Sequence, residues 1–266
     1  MKDTVSSGAG FSQPARGFSK PCGFGLDANG GFGVFNTYYF ATVFWVWGFP
    51  FMSYPEIKKY LLEKLALPLP GEAAQQRMAS NIRSSLKLRA APDETTRTGA
   101  VCVLLYPEDG LWHIPLIVRP EYDGAHSGQV AFPGGKMERF DADITVAALR
   151  EMHEEIGVPP ETVEPLGLLT PVFVPVSNFV VHPVLAITAQ KPGFRLDARE
   201  VAQLLQLPVR ELLDESRRGE KDIMVRGIRV RAPFFGLLGQ TIWGATAMML
   251  SELAEILNGS EGGSEK

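Results

Sequence analysis

The run Ile144–Ile156, closed by Gly157 and then by Pro159-Pro160, constrains this chain more than any other feature, because it can only be a short helix with two unlike faces. A helix turns about 100° per residue, so Glu151, Glu154 and Glu155, at i, i+3 and i+4, share one face. Leu149, Met152 and Ile156 gather on another and can anchor the helix in a core. Gly157 stands at the C′ position, where a positive φ is wanted, and the two prolines forbid continuation. The fold must therefore supply an apolar partner for one side and relief for three crowded carboxylates on the other.

Crowded carboxylates repel and raise one another's pKa, and a solvated helix would alternate signs instead. Divalent cations would resolve the repulsion, and oxygen-only ligands suit Mg²⁺ or Mn²⁺. Arg150 can reach Glu154 at i+4 and hold it in place. Upstream, Pro133-Gly134-Gly135 lets backbone approach a ligand closely, so the Gly135 carbonyl is a candidate to complete a metal shell. An acidic surface helix after a glycine turn would explain Glu154-Glu155 alone; it does not explain the whole spaced set.

The remainder of the chain sets bounds. A length of 266 residues allows one large domain or an ordinary one with appendages, and 45% hydrophobic with 21% charged residues is normal for a protein that buries a core. A net charge of −4 gives no general pull toward nucleic acid or anionic membrane. Cys22 and Cys102 lie far apart and form no metal-ligand pattern, as in a reduced, cytoplasmic protein.

Residues 1–52 differ in character from the rest: they hold nine of the sixteen Phe and only five charged side chains, with none from Ala28 to Pro55. A membrane span, which takes about 20 apolar residues, competes here with a secretory signal and with an extension outside the fold. Gly48 and Pro50 interrupt the apolar run, no basic cluster flanks it, and no cleavage site follows it. Met52 precedes Ser53-Tyr54-Pro55-Glu56, a capping box opening a helix with Ile57, Tyr60, Leu61 and Leu65 on its apolar face. The expectation is a working fold that starts near Met52, with residues 1–51 outside it.

From there the pattern predicts helix and polar connector over 52–96 and a main domain over 97–258. Strands are expected at Ala100–Tyr106, Trp112–Val118, Gln129–Phe132, Val163–Leu168, Val172–Val174, Phe179–Ala189, Ile223–Val225 and Ile228–Ala232. Pro107–Gly110 reads as a turn, Lys136–Asp143 as loop, Val201–Leu207 as strand or helix, and Ile242–Leu257 as a last helix before a disordered tail at 259–266. Strands with few helices between them suggest an α/β (α+β) mixed sheet covered by helices, not a doubly wound one.

The stretch from Gly135 resembles the Nudix box, G-x5-E-x7-R-E-U-x-E-E-x-G-U with U aliphatic. Arg150 to Val158 match its second half at every fixed position. The first half departs: Asp141 stands where Glu belongs, and eight residues rather than seven separate it from Arg150. Ser127–Gly135, Ser177-Asn178-Phe179 before His182-Pro183-Val184, and Ile242–Ala247 are similar to the branch of coenzyme A pyrophosphatases, over roughly residues 97–257. In that branch's L-L-T-x-R-[S/A]-x3-R-x3-G-x3-F-P-G-G motif Arg119 fills the first Arg, Pro120 replaces Ser/Ala, and Gly124 stands at the second Arg.

The resemblance implies a Nudix-type mixed β-sheet sandwiched between helices and a metal-dependent hydrolase that cleaves a phosphoanhydride in a nucleoside diphosphate derivative. Coenzyme A or acyl-coenzyme A is the favoured substrate, against ADP-ribose, a dinucleotide, a nucleotide triphosphate, or a non-catalytic nucleotide sensor. Arg150, Glu151, Glu154 and Glu155 are the catalytic set, with Gly135 and the three glutamates holding Mg²⁺ or Mn²⁺. Arg119, His126 and Lys136 are substrate-binding candidates, and Glu200 is a candidate general base. Phe132, Phe173 and Phe179 could stack on a base or simply form core; Trp243 and Cys102 read as packing and His153 as surface. The partner is a small molecule rather than nucleic acid or membrane, and a homodimer is allowed.

Overall fold

The computed structural model describes residues 52–82, 91–121, 126–225 and 227–259. The extension expected at 1–51 lies outside the described residues, as does the tail expected at 259–266 apart from Gly259, which is the left-handed C-cap of the last helix at φ 64°. The elements are α1 (Tyr54–Leu65), α2 (Gly71–Gln76), β1 (Arg97–Glu108), β2 (Leu111–Val118), β3 (Val130–Ala131), β4 (Gly134–Lys136), α3 (Ile144–Ile156), β5 (Glu164–Leu168), β6 (Val172–Val174), β7 (Phe179–Ile187), β8 (Gln203–Pro208), α4 (Val209–Leu212), β9 (Arg218–Val225), β10 (Ile228–Leu237), β11 (Gln240–Trp243) and α5 (Gly244–Asn258).

An apolar run that is buried on both faces makes β1 the central strand: every residue from Gly99 to Tyr106 is buried. β1 pairs in parallel with β7 along Arg97–Leu105 and antiparallel with β2 at its far end. β4 adds an antiparallel pairing on β1, while β5 and β6 pair with β7, and β3 and β8 with β2. The sheet is therefore mixed, as expected. Strand side chains alternate faces. Val101, Val103 and Leu105 pack with Ile57 and Leu61 of α1 and Leu250 and Leu253 of α5. Ala100, Cys102 and Leu104 pack with Ala147, Ala148, Met152 and Ile156 of α3. Helices thus cover both faces, and a three-stranded antiparallel sheet, β9-β10-β11, stands beside them.

Three sequence expectations change and one open alternative is decided. The connector is not featureless, because α2 buries Ala74 and Gln75. The segment read as loop from Lys136 begins as strand, β4 pairing Lys136 with Gly99. Val201–Leu207 resolves to strand, since Leu205 and Leu207 pair with Leu116 and Ile114 of β2. The last helix starts at Gly244 rather than Ile242, because Ile242 and Trp243 are captured by pairing with Phe235 and Phe234. The helix after Ser53 does form, with Ser53 N–H donating to Glu56 Oε2 at 2.8 Å. No helix among the described residues is long and apolar enough to cross a membrane.

Candidate active site

Helix α3 has the bounds the sequence predicts. Asp143 caps it by accepting from Val146 N–H at 2.9 Å. Gly157 ends it at φ 73°, its N–H donating to the His153 carbonyl at 2.9 Å. The apolar stripe Ala148-Met152 docks the helix on β1 and β7 and brings the carboxylates over β4.

The three glutamates are graded rather than equally exposed. The Glu154 side chain is 53% exposed and that of Glu151 13%, while Glu155 is 2% exposed. Glu155 therefore does not share an open acidic face. It follows Ala148 by seven and Met152 by three, which puts it over the buried stripe; that spacing is the sequence signal for its burial. Its Oε2 accepts the Gly134 N–H at 2.8 Å, and Arg119 Nη2 donates to the Gly134 carbonyl at 3.2 Å. One glycine peptide unit thus links the buried acid to a cation.

Gly135 is required by close approach: a Cβ there would lie 2.3 Å from Glu151 Oε2. A Cβ at Gly134 would lie 2.4 Å from the Ala100 carbonyl of the paired strand. Both glycines let β4 lie flush between β1 and α3.

Arg150 is the hub. Its Nε and Nη2 donate to the two oxygens of Asp141 at 2.8 and 2.9 Å. Its Nη1 donates to Glu151 Oε1 at 2.9 Å and Glu154 Oε2 at 2.8 Å, and Nη2 also reaches the Lys136 carbonyl at 3.2 Å. Asp141, which the sequence marks only as a departure, is thus the bidentate partner of this arginine. An acid nine positions before it was the available signal.

The electrostatics follow from burial and neighbours. The hydrogen-bonded Arg150 guanidinium holds the Asp141 carboxyl below the usual range, and Asp141 chiefly raises Arg150 in turn. Glu155 is pushed up to about 7, first by burial and further by the charges of Glu151 and Glu200, against the Gly134 N–H and Arg119. Burial also raises Glu151, with Glu154 and Glu200 adding to the rise and Arg150 opposing it. Glu200, itself exposed, therefore stands within electrostatic reach of both.

Beside β4 opens a cleft of about 430 Å³. Arg119, His126 and Lys136 all line it, together with Gly135, Phe173 and Phe179. His126 Nδ1 is 3.0 Å from Gln129 Oε1, and Lys136 Nζ is 3.1 Å from Glu138 Oε1. Phe132 contributes to the wall but is fully buried, a core ring; Cys102 and the exposed His153 match their sequence readings. Trp243 lines the cleft rather than serving only as packing. Phe140, which sequence reasoning passed over, is 75% exposed, with the Arg150 guanidinium 5.4 Å from its ring centre.

The family model described as NUDIX domain matches residues 96–226. The uncharacterized Nudix hydrolase NudL of Enterobacter sp. (strain 638) is 40% identical over 139 residues, covering 52% of this chain and 72% of that protein. The uncharacterized Nudix hydrolase NudL of Cronobacter sakazakii (strain ATCC BAA-894) is 38% identical over 172 residues, covering 65% and 84%. The crystal structure of a Nudix hydrolase from M. smegmatis, RenU, superposes with a TM-score of 0.42 at 17% identity, covering 62% of this chain and 88% of that one. On its domain match and its relatives, this chain belongs to the Nudix family and is a Nudix hydrolase.

Proposed function

We propose that this chain hydrolyses a phosphoanhydride in a nucleoside diphosphate derivative, with coenzyme A or acyl-coenzyme A as favoured substrate and Mg²⁺ or Mn²⁺ as cofactor. The observation that carries the reading is the carboxylate cluster of α3 held by Arg150 against Gly134-Gly135, at the edge of a cleft with Arg119 and Lys136 in its wall.

The donor set fits a hard divalent cation: Glu151, Glu154, Glu155 and the Gly135 carbonyl offer oxygen alone. Burial of Glu151 and Glu155, which penalises their charge, is what a cation would offset. Among the described residues no three acidic, His or Cys side chains already stand together as a cation cage. Arg150 engages Glu151 and Glu154 instead, so those two carboxylates must turn from it to serve as ligands. Bound there, the cation supplies charge neutralisation for the diphosphate and a more acidic attacking water.

The chain's own residues have distinct tasks in this reading. Arg119 and Lys136 bind phosphate oxygens from the cleft wall, and His126 adds a polar contact. Arg150 orients the carboxylates. A glutamate of α3 or the exposed Glu200 is the group to accept a proton from water. A screen of coenzyme A, acyl-coenzyme A, ADP-ribose and nucleotide triphosphates with Mg²⁺ or Mn²⁺, read by product mass, tests the proposal. Cleavage at a phosphoanhydride supports it; binding without turnover of any of them refutes it.

A further inference from the structure

The cleft is not completed by the matched domain alone. The family model ends at residue 226 and begins at residue 96, yet Gln76, Ala79, Ser80 and Ile82 from one side and Trp243, Met248 and Met249 from the other also line it. The two flanking segments are fastened to each other by groups that no step of hydrolysis uses.

The central fastener is Glu252, fully buried on α5 one turn beyond Met248. Its Oε1 accepts from Thr170 Oγ1 at 2.6 Å and Thr170 N–H at 3.2 Å, and its Oε2 accepts from Gln75 Nε2 at 2.9 Å. Gln75 Nε2 also donates to the Thr170 carbonyl at 2.8 Å. Ser251 Oγ donates to the Ala74 carbonyl at 2.8 Å, and Arg77 pairs with Glu255. At its far end the segment is held by Asn81, whose N–H donates to the Arg231 carbonyl at 3.2 Å and whose Oδ1 accepts Arg231 N–H at 3.0 Å. A short helix has little stability of its own, so these bonds set where residues 76–82 stand.

The charge along the cleft is uneven. Arg119, His126 and Lys136 lie by the glycine pair, and no carboxylate belongs to the wall among the described residues. The flanking segments contribute Ile82, Met248, Met249 and Trp243, beside the polar Gln76, Ser80 and Thr246. Methionine pairs accommodate irregular apolar shapes, and the few polar groups beside them suit scattered amides of a flexible chain.

We infer that residues 76–82 and 243–249 form the specificity wall of this enzyme, that they receive the apolar end of a flexible chain attached to the diphosphate, and that Glu252 is the positioning residue that holds the wall in place. The inference rests on the hydrolase reading above and names which half of the substrate the flanking segments select.

Two variants test it, with kcat and KM measured for ADP-ribose, coenzyme A and a long-chain acyl-coenzyme A, and folding checked by thermal melting. Ala79→Phe narrows the wall from a half-buried position. It should lower kcat/KM for the acyl compound by about tenfold or more relative to ADP-ribose. Glu252→Gln turns one acceptor into a donor facing Gln75 or Thr170. It should raise KM for the acyl compound about tenfold while kcat moves by less than about threefold. If Glu252→Gln fails to fold, the Ala79→Phe ratio decides. A wild type that cleaves neither these three nor a nucleotide triphosphate sinks the hydrolase reading and the wall with it; one that cleaves only ADP-ribose or nucleotide triphosphates, or whose substrate ratios neither variant moves, sinks the wall alone.

Discussion

Replacing Gly135 by alanine should separate activity from stability at this site. The added Cβ would lie 2.3 Å from Glu151 Oε2 and 2.7 Å from Oε1, while ordinary contact begins at 3.4 Å, so the carboxylate must retreat by 3.4 − 2.3 = 1.1 Å. It can do so, because the obstructing atoms are the end of a flexible side chain. The retreat breaks the 2.9 Å bond from Arg150 Nη1, yet Arg150 keeps Asp141 and Glu154. A partly exposed charged hydrogen bond and a strained rotamer together cost about 2 kcal/mol. A displacement of about 1 Å in a catalytic group costs on the order of 100-fold in rate. Urea denaturation and steady-state kinetics on the best substrate from the screen, run on one preparation, read the two quantities. A variant within threefold of wild-type kcat/KM would refute the assignment of Glu151 to the reacting centre.

Glu154→Gln and Glu155→Gln should each lower kcat by about 100-fold or more, but they should part in stability. Glu154→Gln removes only an exposed partner of Arg150, whereas Glu155→Gln keeps an oxygen for the Gly134 N–H and removes a buried charge, so its urea midpoint should equal or exceed that of wild type. Because Arg150 lowers the Asp141 pKa in the folded state, that stabilisation is present above the unfolded value near 4 and is lost as pH falls through the lower folded value. Asp141→Asn should lose about 2 kcal/mol at neutral pH and flatten the acid limb of the stability–pH curve below about pH 4; an unchanged limb would contradict the pairing. Tyr60→Phe removes the 2.7 Å bond to the Ile256 carbonyl that ties α1 to α5, and should lower stability by about 1 kcal/mol without changing kcat.

What could be read from the sequence was whatever one element determines by itself. Helix α3 was legible to the residue: its apolar stripe marks its span and Gly157 with the two prolines closes it, while Asp143, read as the end of a loop, is its N-cap. Strands β1 and β7 were legible as apolar runs too long and too β-branched for turns. Pairing partners were not legible: Ile242 and Trp243 look helical until β10 offers them a strand, and Lys136 looks like loop until Gly99 lies opposite. The candidate site divided in the same way. Residue types and spacing named Arg150 and the three glutamates, which Arg150 gathers beside β4, and also Arg119, His126 and Lys136, which line the neighbouring cleft. The burial of Glu155 was missed because three acids were read as one open face, although its spacing from Ala148 and Met152 indicates otherwise.

The two departures from the family pattern at Asp141 compensate one another. The carboxylate there is one methylene shorter than Glu, and the chain between it and Arg150 is one residue longer. The residue closes a tight turn: its N–H donates to the Glu138 carbonyl at 3.1 Å, and its Oδ2 accepts Glu138 N–H at 2.8 Å. That turn holds the short side chain where both oxygens meet Nε and Nη2 of Arg150 in parallel, the fork geometry that fixes a guanidinium most firmly. The extra residue thus does not disrupt the site: it lets an aspartate hold Arg150, leaving Nη1 free to manage Glu151 and Glu154.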